Sequence, residues 1–211
     1  MIARLLAAAA LAFALTPAAV APASPGSCSP TKPPLDAASK QVARGDMLWV
    51  GRDGSVGITT PAGTGVVQVP NAGPMPLQAM LIDAQQNGQQ QLIVSSGRGA
   101  HLYLVNGCDI TTVVDQQGNP FVFDLQNLRG AGTGIGCSDF GDGRRLVALQ
   151  AQVGDAGWTV RRTEIVLAGA TATLGRSDTV AAPSQQDPAV TAAQSITCGE
   201  QAITKDGVQQ P

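Results

Sequence analysis

An acidic, glycine-bearing loop runs directly into an apolar strand at two places in this chain, and that repetition narrows the possible folds more than any other feature. Asp139-Phe-Gly-Asp142-Gly143-Arg-Arg leads into Leu146-Val-Ala-Leu149, and Asp83-Ala-Gln-Gln-Asn87-Gly88 leads through three glutamines into Leu92-Ile-Val94. The leading aspartates are 56 residues apart. Self-similarity at that spacing implies a chain that repeats one supersecondary unit and buries its apolar surface by stacking the copies.

The strands around these loops come in pairs joined by glycine turns. Met47–Val50 turns through Gly51–Gly54 into Ser55–Thr59; Leu92–Val94 through Gly97–Gly99 into His101–Val105; Leu146–Val153 through Gly154–Gly157 into Trp158–Leu167. The first member of each pair is continuously apolar, as expected when both faces are covered. The second is mixed, most clearly in Thr159–Glu164, as expected beside solvent. Further strands are expected at Val66–Val69, Ile110–Val114, Phe121–Leu125, Thr171–Leu174 and Ser195–Cys198, with a long loop over 175–190. Inner strands buried on both sides and outer strands facing water are the product of radially arranged sheets. The fold class is therefore all-β: a small or incomplete β-propeller-like array of three to four antiparallel units, with a β-sandwich as the alternative.

The chain divides into three parts. Residues 1–23 read as a signal peptide, with Arg4 as the positive n-region, Leu5–Leu15 as an apolar run of 11 residues, and Ala21-Pro22-Ala23 as the cleavage site. The apolar run is too short to span a bilayer core, which needs about 20 residues. Residues 24–44, with Pro25, Pro30, Pro33 and Pro34, read as an extended lead-in with at most a helical turn or two after Asp36. Residues 45–211 form the β-repeat domain. Cys28 follows Pro25-Gly26-Ser27 and not the aliphatic-small pattern of a lipid anchor. The expected location is secreted, extracellular or in the cell envelope.

Without Arg4 the chain carries 12 basic and 15 acidic residues. That balance gives no electrostatic attraction for nucleic acid or anionic lipid. Four cysteines follow the leader: Cys28, Cys108, Cys137 and Cys198. An even number in an exported chain implies two disulfides with three possible connectivities. The expectation is Cys108–Cys137 within the domain and Cys28–Cys198 tying the termini together.

The stretch from Gly132 through Asp139, Asp142 and Gly143 to Val147 resembles the FG-GAP or VCBS-type repeat, found in the propellers of integrin α-chain heads and of many exported bacterial proteins. The resemblance implies a propeller blade and a loop whose acids can hold calcium, with Asp139 and Asp142 as the calcium candidates, and Asp83 and Asn87 as their looser counterparts. Arg145 and Gln91 stand where the repeat places a closing acid. Calcium takes six to eight oxygens, usually several from carboxylates. The competing expectation is a tight turn at Asp142-Gly143, with Asp139 bonded to backbone amides. No other cofactor is expected.

Other features carry less. Arg44-Gly45-Asp46 is an integrin-type tripeptide, but it leads directly into an apolar strand. Gly130–Gly136 places Ile135 where a dinucleotide loop needs its third glycine, and no helix follows. His101 is the only histidine and lies in a mixed strand. Trp49, Tyr103 and Trp158 are expected in the core. The function expected is an exported, non-enzymatic binding or structural module with an unknown protein or carbohydrate ligand and no membrane span. The alternative is a hydrolase of extracellular polysaccharide using Asp109, Asp124 or Asp139.

Overall fold

The structure, a computed structural model, describes residues 28–42, 45–70, 75–125 and 131–211. The signal-peptide assignment, the start of the lead-in, Arg44 and Gly130 lie outside the described residues.

The chain is all-β, and its main elements are three antiparallel meanders. The first sheet runs β1 (Ala38–Gln41), β2 (Met47–Val50), β3 (Ser55–Thr60), β4 (Gly63–Gln68) in spatial order. The second runs β5 (Gln78–Ile82), β6 (Gln90–Ser95), β7 (Gly99–Asn106), β8 (Asp109–Thr112), and β9 (Val122–Asp124) also pairs with β7. The third runs β10 (Gly132–Asp139), β11 (Arg144–Gly154), β12 (Gly157–Ala168), β13 (Thr171–Ala182). The three glycine-joined strand pairs of the sequence are thus the central hairpins of the three sheets. The two acidic loops each join a sheet's first strand to its second.

Strand parity explains the apolar second strands. In β6, Leu92 and Val94 pack with Leu48, Val50, Val56 and Ile58 of the first sheet, while Ile93 packs with Ile135, Leu146 and Ile165 of the third. The second sheet therefore lies between the other two. No position from Leu92 to Val94 meets water, so none is polar. Trp49 and Tyr103 are buried, and burial pushes the Tyr103 hydroxyl up to about 12. Close approach also sets residue type: a Cβ on Gly65 of β4 would overlap the Cys108 carbonyl in the β7–β8 turn.

The C-terminal segment ties the sheets together. It forms α1 (Pro188–Ala192), β14 (Thr197–Cys198), β15 (Gln201–Ala202), α2 (Ile203–Asp206) and β16 (Val208–Gln209). Asp187 caps α1 by accepting the Ala189 N–H at 2.8 Å, with Pro188 at the first helical position. α1 packs Val190 and Ala193 over Val147, Leu149 and Val160 on the outer face of the third sheet. Ile196, just before β14, forms a parallel bridge to Ile135 of β10. β16 then pairs with β5, adding an edge strand to the second sheet. Gln210 accepts the Leu77 N–H at 3.0 Å and donates to the Arg52 carbonyl at 2.9 Å, and Lys40 donates to the Lys205 carbonyl at 2.8 Å. The last residues thereby also fasten the first sheet. Among the described residues no helix is long and apolar enough to cross a membrane.

The expected disulfide pairing is corrected. All four cysteines are bonded, but as Cys28–Cys108 (Cα–Cα 5.6 Å) and Cys137–Cys198 (4.8 Å). Cys108 turns β7 into β8 at the last-strand edge of the second sheet. Cys137 lies in β10, at the first-strand edge of the third sheet, so the two do not meet. Each instead meets a terminal segment: Cys28 where Ser29 bridges Thr64 beside β4, and Cys198 where β14 runs along β10. The loops close over separations of 80 and 61 residues. Chain-entropy models put such closures at about 4 kcal/mol each.

Two other expectations change. The lead-in contributes β1, so the first sheet begins at Ala38 and not near Gly45. The loop expected over 175–190 is strand as far as Ala182, held by cross-strand ion pairs that an apolar pattern does not reveal. A non-reducing peptide map is expected to join the Cys28 peptide to that of Cys108 and the Cys137 peptide to that of Cys198. A Cys108–Cys137 linked peptide would contradict this topology.

Candidate functional site

The acidic loops are built as turns. The Asp139 carboxylate accepts the Gly141 N–H at 2.6 Å and the Gly143 N–H at 3.1 Å. The Asp83 carboxylate accepts from Asn87 at 3.1 Å and from Gly88 at 2.8 Å. Gly88 and Gly143 both have positive φ, 87° and 108°, which leaves their N–H groups aimed back at the leading aspartate. The two loops are linked: Arg144 donates to the Ala84 carbonyl at 2.9 Å and to the Asp83 carbonyl. The arginine that follows the second loop thus holds the backbone of the first.

Asp142, the second calcium candidate, faces cations. It pairs with Arg176 and, at 3.5 Å, with Arg145, and the Arg176 hydrogen bond holds its carboxyl below the usual carboxylate range. Glu164 joins the same two arginines, at 3.3 Å to Arg145 and 3.2 Å to Arg176. Arg162 pairs with Asp178 at 2.7 Å, lowering that carboxyl. Phe140 lies between Arg162 and Arg176, whose guanidinium carbons are 4.8 and 4.6 Å from its ring centre. Three cations and three carboxylates close this network over the part of the third sheet's outer face that α1 leaves open. Among the described residues no group of three or more His, Cys, Asp or Glu side chains is placed to hold a metal.

The carboxylates of the hydrolase alternative do not converge. Asp109 and Asp124 pair with Asn106 and Gly99, the opposite ends of β7. At about 3.4 Å per residue they are roughly 24 Å apart, against about 5–9.5 Å between the carboxyls of a glycosidase. Asp139 is committed to its own turn. His101 has a ring Nδ1 that is buried and unpartnered; burial lowers its pKa, and the Pro70 backbone partly offsets this.

The side chains that do converge line a cleft of about 420 Å³ between the second and third sheets. One wall is Phe121 to Asp124, with the Phe121 and Phe123 rings edge to face at 5.1 Å. The other is the inner face of the third sheet. Register places Thr133 opposite Gln150 and Gln150 opposite Arg161, one polar row across β10, β11 and β12. The next row inward is Ile135, Ala148 and Thr163, and Ile165 continues the floor. Val114 forms a parallel bridge to Thr171 of β13.

Among the described residues the polar row is unpaired. The Thr133 hydroxyl oxygen is buried without a partner, and neither Gln150 nor Arg161 bonds to another described side chain. Arg145, Arg162 and Arg176, close by on the opposite face, are all ion-paired. An apolar cleft with a few convergent polar groups is the usual build of a binding site. Of the catalytic and metal candidates named from sequence, Asp124 alone lines it. Thr133, Gln150 and Arg161 each sit in an ordinary alternating strand. Cross-strand register alone makes them a row, and no motif announces it.

The calcium question has a direct check. Melting temperatures in millimolar calcium and in excess chelator are expected to coincide, because hydrogen-bond donors already occupy both carboxylates. A rise of several degrees with calcium, lost in Asp139→Asn, would contradict that.

No protein-family model, curated protein or solved structure matches this chain.

Proposed function

We propose that this protein is an exported, non-enzymatic binding module of the cell envelope or extracellular space, and that its ligand sits in the cleft between the second and third sheets. The observation that carries the proposal is the unpaired row Thr133, Gln150 and Arg161 facing two phenyl rings. The Thr133 hydroxyl oxygen is the buried member of that row; buried polar atoms are nearly always partnered in native proteins, and a ligand that supplies its missing partner explains the exception. Two disulfides support an oxidising compartment.

The architecture belongs to the same proposal. Three four-stranded meanders, two of them sharing a capped acidic loop between first and second strands, form a short propeller-like array of FG-GAP or VCBS type. In this array the leading aspartates serve as turn caps, and Arg144 stands in for a metal by holding neighbouring loops together. Support comes from the matched hydrogen bonds of Asp83 and Asp139 and from the stacking of the second sheet between its neighbours.

Retention on insoluble cell-envelope polysaccharide tests the binding role. The wild-type protein is expected to be retained without releasing reducing sugar. Gln150→Trp, which fills the cleft mouth, is expected to cut retention at least tenfold with the melting temperature unchanged. Equal retention of that variant would remove the cleft from the account. Polysaccharide turnover abolished by Asp139→Asn would overturn the non-enzymatic assignment.

A further inference from the structure

The geometry points to a sugar acid, a pyranose bearing one carboxylate, as the unit that occupies this cleft, with Arg161 receiving the carboxylate. The inference rests on the binding role proposed above and names its ligand class.

Three features select this chemistry. The first is charge. Arg161 is exposed at the mouth and pairs with no described carboxylate, whereas Arg145, Arg162 and Arg176 of the same sheet are all neutralised. A guanidinium left unpaired beside a cavity matches a planar carboxylate, which it binds through two parallel N–H donors. Asp124 lines the same mouth.

The second feature is the pattern of the other two groups. The Thr133 hydroxyl and the Gln150 amide each both donate and accept. Neighbouring strands lie about 4.8 Å apart, so Thr133, Gln150 and Arg161 span roughly 10 Å in one line. Sugar hydroxyls also donate and accept, and they ring a rigid body that can meet such a line at more than one point. A peptide recognised by strand addition would need free backbone groups, but β11 and β12 are paired on both sides, and Ile135 in β10 donates its N–H outward to the Ser195 carbonyl.

The third feature is the opposite wall. Phe121 and Phe123 present an apolar surface facing the polar row, with Ala148 and Ile165 beneath. A pyranose is itself two-sided, with hydroxyls at its rim and C–H groups on its face. The cleft offers one wall to each.

Isothermal titration with trigalacturonate, its full methyl ester and triglutamate tests the assignment. The acid is expected to bind at least tenfold more tightly than the ester, since a charge-assisted pair is about twice as strong as a neutral one. Triglutamate is expected to bind at least tenfold more weakly than trigalacturonate. Arg161→Gln is expected to bring the acid down to the ester's affinity, with the melting temperature unchanged, while Arg161→Lys keeps part of the preference. Thr133→Val is expected to weaken acid and ester alike. Equal binding of acid and ester, or an Arg161→Gln variant that keeps the preference, would overturn the sugar-acid assignment and leave a neutral-glycan module standing. Triglutamate binding as tightly as trigalacturonate would replace the saccharide with an acidic peptide. If neither saccharide binds, the sugar-acid assignment fails; envelope retention that Gln150→Trp abolishes would still show a binding cleft.

Discussion

Burial of the second sheet on both faces is the constraint on which the rest of this molecule depends. Odd and even positions of β5 and β6 pack against different neighbours: Ala79, Leu81, Leu92 and Val94 towards the first sheet, Met80, Ile82 and Ile93 towards the third. Burying one such side chain is worth about 1.5–3 kcal/mol, so this sheet contributes to two cores at once. Neither outer sheet could cover its own inner face without it.

The two ends of the stack are finished by different means. The first sheet is tied by Cys28–Cys108 at one edge, by Lys40 at the other, and by Gln210 at its β2–β3 turn. Among the described residues no further sheet packs on the outer face of the third sheet. α1 covers its apolar half, and the arginine–carboxylate network around Phe140 covers the rest. A neutral, internally paired network suits a terminal face, because it gives a further apolar sheet nothing to pack on. Opposite that finished face, on the inner side of the same strands, Arg161 and its row remain unpaired. This contrast between two faces of one sheet is what marks the cleft.

Much of this was legible in the residues. The continuous apolarity of Leu92–Val94 and Leu146–Leu149 predicted strands covered on both sides, and the glycine turns predicted the three central hairpins. Backbone-amide bonding by Asp139 was one of the two expectations for its loop, and the matching bonds of Asp83 to Asn87 and Gly88 emerged only with the structure. The disulfides were not legible, because pairing depends on which sheet edges face the terminal segments. The strand through Arg176 and Asp178 was missed because ion pairs across to β12, and not an alternating apolar pattern, hold it. The cleft was missed for a related reason. Thr133, Gln150 and Arg161 are 17 and 11 residues apart in sequence, and only the register of β10, β11 and β12 makes them neighbours.

Native-state hydrogen exchange resolved by strand tests whether the second sheet is the shared core. If the second sheet is the shared core, the amides of β6 exchange last, at the rate of global unfolding, and those of β5 and β7 come next. β1 and the outer part of β13 exchange earlier. Protection in β6 no greater than in β1 or β13 would contradict the stacked arrangement.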